Sequence, residues 1–310
     1  RRRRRLVRRL CLGAGLAAFA LVVPWSLGAQ FGKARSSGAA QAADATAFPA
    51  GEGVVYPDGL RAGRRTIAAA SVVAPDSGAG ALSSLPAIAI CIDDMGENAT
   101  GSAKPMALPA EVTLAFLPYA SATPALAQQS FAMGHEILAH VPMQPIGPSD
   151  PGPQALTVGG PDNAERLAWA LSRVPGLSGI NNHEGSKFSS DAASLLPVVR
   201  ILAERRLFFF DSRTIAASQI VRVSHAHGVE SAGRDVFLDN VLTDRAVRAR
   251  LDELAAKAKK SGVAIAIGHP HGVTMRVLAG WLSEDHGVRL VSVSEAIRLK
   301  SARSALVAAR

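Results

Sequence analysis

Ala87-Ile88-Ala89-Ile90-Cys91-Ile92-Asp93-Asp94 is the stretch that decides the fold. Six apolar residues run without a polar interruption, three of them β-branched, and two carboxylates follow. A strand with one wet face alternates apolar and polar residues. A continuous apolar run of this length suits a strand covered on both faces, as in parallel sheets. The ionisable pair then falls at the carboxyl end of the strand, where α/β folds carry their chemistry.

Working outward, the same texture repeats. Strands are predicted over 112–117 (stopped by Pro118), 136–141, 178–181, 207–210, 263–267 and 289–293, with a short one near Val229. Helices are predicted over 121–133 (closed by Gly134), 162–173, 191–205 (with Pro197 as a kink) and 244–261. Strands alternating with helices of this length imply parallel βαβ units, in a sheet covered on both faces or closed into a barrel. The predicted domain is residues 85–300, followed by a C-terminal tail, 301–310.

Upstream the composition changes. Residues 30–84, rich in Ala, Gly, Ser and Pro, read as a linker. Residues 1–29 combine basic Arg1–Arg9 with an uncharged, mostly apolar run over 10–27. That pattern is an export signal, either a cleaved signal peptide or an N-terminal membrane anchor. The positive-inside rule leaves the rest of the chain outside the cytoplasm, periplasmic or extracytoplasmic.

The formal charge of +9 does not indicate a nucleic-acid partner. Nine of the 34 Lys and Arg lie within the first 35 residues, which hold no acidic residue. The 25 remaining cations balance 25 Asp and Glu, so the body of the chain is formally neutral. Of two cysteines, Cys11 lies in the N-terminal run and Cys91 in a core strand, where it reads as a small buried apolar residue.

Ionisable groups recur at the predicted strand ends: Asp93-Asp94, His140, Asp211 and His269, with Asn181-Asn182-His183-Glu184 after the fourth strand. Separate strand ends can converge in space. Carboxylates with imidazoles suit zinc or a similar divalent cation. Adjacent carboxylates can divide labour, one on the metal and one as a base. That division needs Asp93-Asp94 to lie past the regular strand, since alternation turns neighbours to opposite faces. Taken singly, each group has a structural reading: a helix cap for Asp-Asp, a satisfied histidine for His140 or His269. His271 is a minor candidate, and His225, His227 and His286 are set aside.

Ile92-Asp93-Asp94-Met95-Gly96 resembles the Thr-Phe-Asp-Asp-Gly motif of polysaccharide deacetylases. Gly134-His135-Glu136-Ile137-Leu138-Ala139-His140 resembles their Gly-His-Glu-Ile-Gly-Asn-His motif. The divergent branch of that family is more similar still, through Leu114–Tyr119, His140-Val141-Pro142-Met143, Asn181-Asn182-His183, Phe210–Thr214, Arg234–Asp239 and Ala264–Pro270. The resemblance covers about 86–299. It implies a distorted (β/α) barrel of about seven strands and a metal-dependent deacetylase acting on carbohydrate, with zinc as the expected ion. It further implies Asp93 as general base, Asp94 and His140 as metal ligands, and His269 as general acid. The parent family's second metal histidine falls at Gln144, and His183 is the natural substitute. Asn181, Asn182, Asp211, Arg213 and Asp235 are then supporting or substrate-binding groups, Arg213 orienting Asp93 or Asp211 by a bidentate pair or serving as a structural ion pair. Glu184 reads as a solvated side chain and His135 as structural. Two other readings stand beside the enzyme: a non-catalytic glycan-binding envelope protein, and a hydrolase of another amide or ester. No protein partner is inferable.

Overall fold

The computed structural model describes residues 85–97 and 99–308, so the expected export signal and the whole of the expected linker, with Asn98, Ala309 and Arg310, lie outside the described residues. The strands are β1 (Ala87–Met95), β2 (Thr113–Phe116), β3 (Ile137–Met143), β4 (Leu177–Glu184), β5 (Phe208–Asp211), β6 (Ser231–Gly233), β7 (Val236–Phe237), β8 (Val263–Gly268) and β9 (Arg289–Val291). The helices are α1 (Ala99–Met106), α2 (Thr123–Ala132), α3 (Asn163–Ser172), α4 (Ala192–Arg205), α5 (Ile220–Ala226), α6 (Asp244–Ser261), α7 (Gly272–Leu282) and α8 (Val293–Ala308). Among the described residues, no helix is long and apolar enough to cross a membrane.

All strand pairings are parallel, in the order β6-β5-β4-β3-β2-β1-β8-β7, with β9 paired to β1. The sheet curls into a half-barrel, and among the described residues no ladder joins β6 to β7. The described residues form nine strands rather than about seven. The excess comes from pieces as short as Val236–Phe237, too brief to register as an apolar run.

The β1 sequence explains both faces. Ile88, Ile90 and Ile92 pack into the larger core with α2–α7 residues such as Leu167, Leu202, Leu251 and Leu278. Ala87, Ala89 and Cys91 alternate to the inner face, in a second cluster with Phe208, Phe210, Ile265 and Ile267. These small inner side chains leave room for α8, whose Val293, Ala296 and Ile297 are fully buried against them. The expected tail is therefore the end of a helix that begins by filling the inner face and runs on to Ala308.

Helix ends follow local chemistry. Thr243 caps α6 by accepting from the backbone N–H of Ala246 (3.3 Å), and Gly262 ends it with φ 83°. Asp191 caps α4 through Ser194 N–H at 2.7 Å. Gly134 follows α2 with φ 98° and lets the chain turn into β3.

Candidate active site

Inner-face alternation sets the site. His140 on β3 lies directly opposite Asn181 on β4, and His183 sits two residues further along. The fourth strand continues through Asn182, His183 and Glu184, well beyond the expected 178–181. Polar residues at the sheet mouth hide this extension from a reading based on apolar runs.

Asp93 and Asp94 both fall within β1, which at first sight forbids a shared pocket. The backbone resolves the conflict. Asp94 has φ 56°, in the left-handed region that Asp tolerates better than most residues, and the β1–β2 register shifts between Ile92 and Met95. This irregularity turns consecutive carboxylates to one side.

Three donor atoms then meet. Asp94 Oδ1 is 3.3 Å from His140 Nε2 and 3.1 Å from His183 Nδ1, and those two nitrogens are 3.1 Å apart. Asp94 Oδ1 is buried and makes no hydrogen bond, although both imidazoles lie within ion-pair distance of it. The separations suit donors sharing one cation, since the edge of a tetrahedral zinc site with bonds of ~2.0–2.1 Å is about 3.3 Å. Asn181 Oδ1 accepts from Nδ1–H of His140 at 2.8 Å, so in the neutral ring, the form that binds a metal, Nε2 carries the lone pair that faces Asp94. The residues present fit a divalent cation.

The local field favours positive charge at this point. Burial would raise Asp94, but His140 and His183 outweigh it and hold its carboxyl well below the usual range. Burial would lower His140, but the charges of Asp93 and Asp94 raise it.

Asp93, almost fully buried, flanks the triangle, with Oδ2 3.7 Å from His140 Nε2. Its Oδ1 accepts from Asn181 Nδ2 (2.8 Å) and from the Cys91 thiol (3.3 Å). On the other side, His269 Nε2 is 3.9 Å from Asp94 Oδ2. His269 Nδ1–H donates to Asp239 Oδ1 at 2.9 Å, while Asp239 Oδ2 accepts from the His269 backbone (2.6 Å) and from Thr274 Oγ1 (2.9 Å). Burial pulls His269 down, but Asp239 and the charges of Asp93 and Asp94 outweigh it, and its pKa is pushed up to about 9. The Phe237 ring lies edge-on to His269 at 5.3 Å, with the Arg234 guanidinium 4.7 Å above Phe237.

Four residues expected to support the site lie elsewhere or act differently. Asp235 shares the inner-face parity of Asp239 but stands four residues earlier, about 13 Å lower along an extended chain. There it accepts from the Ile265 backbone and from Lys300 of α8. Asp211 follows Phe208 and Phe210, both inner, so alternation turns it to the outer face, where burial raises it against the opposing contacts of Arg213 N–H and Ser218. Arg213 is exposed with φ 52°; its backbone N–H binds Asp211 Oδ1 at 2.7 Å, and its guanidinium pairs with neither Asp93 nor Asp211 within 4.0 Å. Asn182 locks the next loop, accepting from Ser212 N–H and donating to the Glu184 carbonyl.

Gln144 ties loops together, its Oε1 accepting from Val158 N–H and its carbonyl from Lys187 and Phe188 N–H. His135 is structural, its ring nitrogens 2.8 and 3.1 Å from the carbonyls of Val112 and Met106. Glu184 is outside the donor group. Sequence reasoning misses Asp239 as a functional residue. Its signal is its position at the end of Arg234–Asp239, which contains a strand too short to recognise.

A curled parallel α/β sheet with carboxylates and imidazoles gathered at its carboxyl edge places the chain among the α/β proteins that carry a polar site at the strand ends. The chain belongs to the divergent polysaccharide deacetylase family, whose model matches residues 90–297. It is 35% identical over 193 residues to the uncharacterized protein YibQ of Escherichia coli, covering 62% of this chain and 60% of that relative's length. An uncharacterized protein of Haemophilus influenzae is 34% identical over 209 residues, 66% of this chain and 75% of that protein. The crystal structure of uncharacterized protein ATU2773 from Agrobacterium tumefaciens superposes with a TM-score of 0.66 at 30% identity, covering 68% of this chain and 89% of that one.

Proposed function

We propose that this chain is a metal-dependent hydrolase that removes N-acetyl groups from carbohydrate of the cell envelope. The observation that carries the reading is the triangle of Asp94 Oδ1, His140 Nε2 and His183 Nδ1, flanked by Asp93 on one side and the His269–Asp239 pair on the other. His183 stands in for the histidine absent at position 144. That removes the main reason to favour a non-catalytic binding protein.

Asp94, His140 and His183 would hold a divalent cation, most simply zinc, which when bound would supply Lewis-acid polarisation of an amide carbonyl and acidification of a water. Asp93 Oδ2 accepts a proton from the attacking water. His269, kept protonated by Asp239, delivers a proton from Nε2 to the departing nitrogen. One water is consumed, the C–N bond breaks, and acetate and a free amine result. Phe237 packs edge-on against His269 and Arg234 lies over the Phe237 ring, so the two are candidate contacts for the sugar. The basic and apolar run at residues 1–29 supports an extracytoplasmic location, either released or anchored through that run.

The test is elemental analysis of the purified full chain, followed by acetate release from N-acetylated glycans. About one equivalent of zinc or a similar ion, with acetate release abolished in Asp93→Asn, is the expected result. A chain that refuses added zinc yet still binds glycan would overturn the enzyme reading in favour of a binding protein. Metal-dependent turnover confined to other amides or esters would overturn the substrate.

A further inference from the structure

We propose that Asn181 and Cys91 are positioning residues that together fix which oxygen of Asp93 does the work. The inference rests on the hydrolase reading above and deepens it. Asp93 Oδ1 takes two donors, the Asn181 amide at 2.8 Å and the Cys91 thiol at 3.3 Å. Oδ2 is the oxygen that approaches His140 Nε2, at 3.7 Å. With its lone pairs directed at Asn181 and Cys91, Oδ1 is a poor proton acceptor, and Oδ2 is left facing the donor triangle.

The Asn181 amide cannot flip. Its Nδ2 donates to Asp93 Oδ1 and to Ser212 Oγ (3.2 Å), and its Oδ1 accepts from His140 Nδ1–H. Reversing it would set an oxygen against the Asp93 carboxylate, which when ionised only accepts. One fully buried amide therefore sets two properties: the tautomer that leaves Nε2 of His140 free, and the rotation of the Asp93 carboxylate. Cys91 acts on the carboxylate alone. It shares the inner face of β1 with Asp93, two residues away, and its side chain is wholly enclosed. Burial raises the thiol, and the Asp93 charge beside it adds to the effect, so the group stays an S–H donor. Its chemistry is thus neither that of a nucleophile nor merely that of an apolar filler.

The two residues should separate experimentally. Zinc affinity, measured on the full chain by chelator competition, should be unchanged in Cys91→Val and Cys91→Ser. It should fall about ten- to hundredfold in Asn181→Leu, because only Asn181 touches a metal ligand. In turnover, Cys91→Val should lower kcat about tenfold with KM unchanged, and Cys91→Ser, which keeps a donor, should restore it. The infrared S–H stretch of Cys91, read in a Cys11→Ser background, should lie below that of a free thiol and move up in Asp93→Ala. The proposal is overturned if Cys91→Val keeps full kcat, if Asn181→Leu binds zinc like the parent, or if the S–H band ignores Asp93→Ala. If the parent chain itself neither binds zinc nor turns over substrate, the hydrolase reading fails. In that case the infrared band still decides the Cys91–Asp93 contact by itself.

Discussion

Asp93 and Asp94 are consecutive residues of one strand, yet both reach Nε2 of His140, at 3.7 and 3.3 Å. The positive φ of Asp94 makes this possible. Asp94→Asn should preserve the backbone, since Asn tolerates the same conformation, while removing the charge that attracts a cation. Zinc affinity should fall at least about tenfold, and the metal-free unfolding midpoint at neutral pH should also drop, because the lowered carboxyl of Asp94 stabilises the fold there. Equal zinc affinity, by chelator competition, would remove Asp94 from the ligand set.

His140→Ala and His183→Ala should each reduce bound zinc from about one equivalent to near zero while retaining the parent's far-ultraviolet circular dichroism. Gln144→His should not restore binding to His183→Ala, because position 144 is held in the loop network with Val158, Lys187 and Phe188. Restored stoichiometry would mean that the loop can swing into the site.

The His269–Asp239 pair makes a signed pH prediction. An unfolded histidine titrates near ~6.5, whereas folded His269 titrates at about 9. Between these values the folded chain holds the extra proton. The stabilisation is therefore full below about 6.5 and lost as pH rises through the folded value. In metal-free protein, the difference in unfolding free energy between the parent and His269→Gln should shrink as pH rises from about 6 to about 10. Asp239→Asn should lower kcat and shift the basic limb of its pH profile toward acid. An unmoved limb would show that His269 does not set it.

Glu136 is a carboxyl group whose folded value is likewise raised. Its Oε2 accepts from Thr113 Oγ1 and from the Ser294 backbone at the start of α8, each at 3.0 Å. Burial outweighs these contacts and raises its carboxyl above 4.5. The folded state then binds more protons than the unfolded one just above the ordinary carboxylate range, so stability falls as pH rises across that window. Glu136→Gln keeps an acceptor oxygen and should flatten that slope, leaving the chain at least as stable near neutral pH. Chemical denaturation across pH checks this, and a large loss at neutral pH would contradict it.

Helix α8 tests the inner face. Ile297→Asp buries an unpaired charge against the small residues of β1 and should cost about 3–5 kcal/mol or prevent folding. Leu306→Asp, at a position 66% exposed, should change stability by less than about 0.5 kcal/mol. Equal effects of the two would mean that α8 does not fill the inner face.

The sequence alone determined the parallel α/β sheet, because buried strands must be continuously apolar and their crossover helices amphipathic. It also singled out Asp93, Asp94, His140, His183 and His269, whose types and strand-end spacing suit a shared cation and proton transfer. What it could not decide was depth and direction. Asp235 and Asp239 differ by two alternations on one inner face, and only the pairing of β7 with β8 puts Asp239 beside His269 and Asp235 beside Lys300. Asp211 lies at a strand end as expected, but strand alternation turns it outward. The backbone twist at Asp94, the bridge from Asn181 to His140 and Asp93, and the helix on the inner face are all set by long-range packing. Local periodicity carries no record of such contacts, so they belong to the tertiary structure.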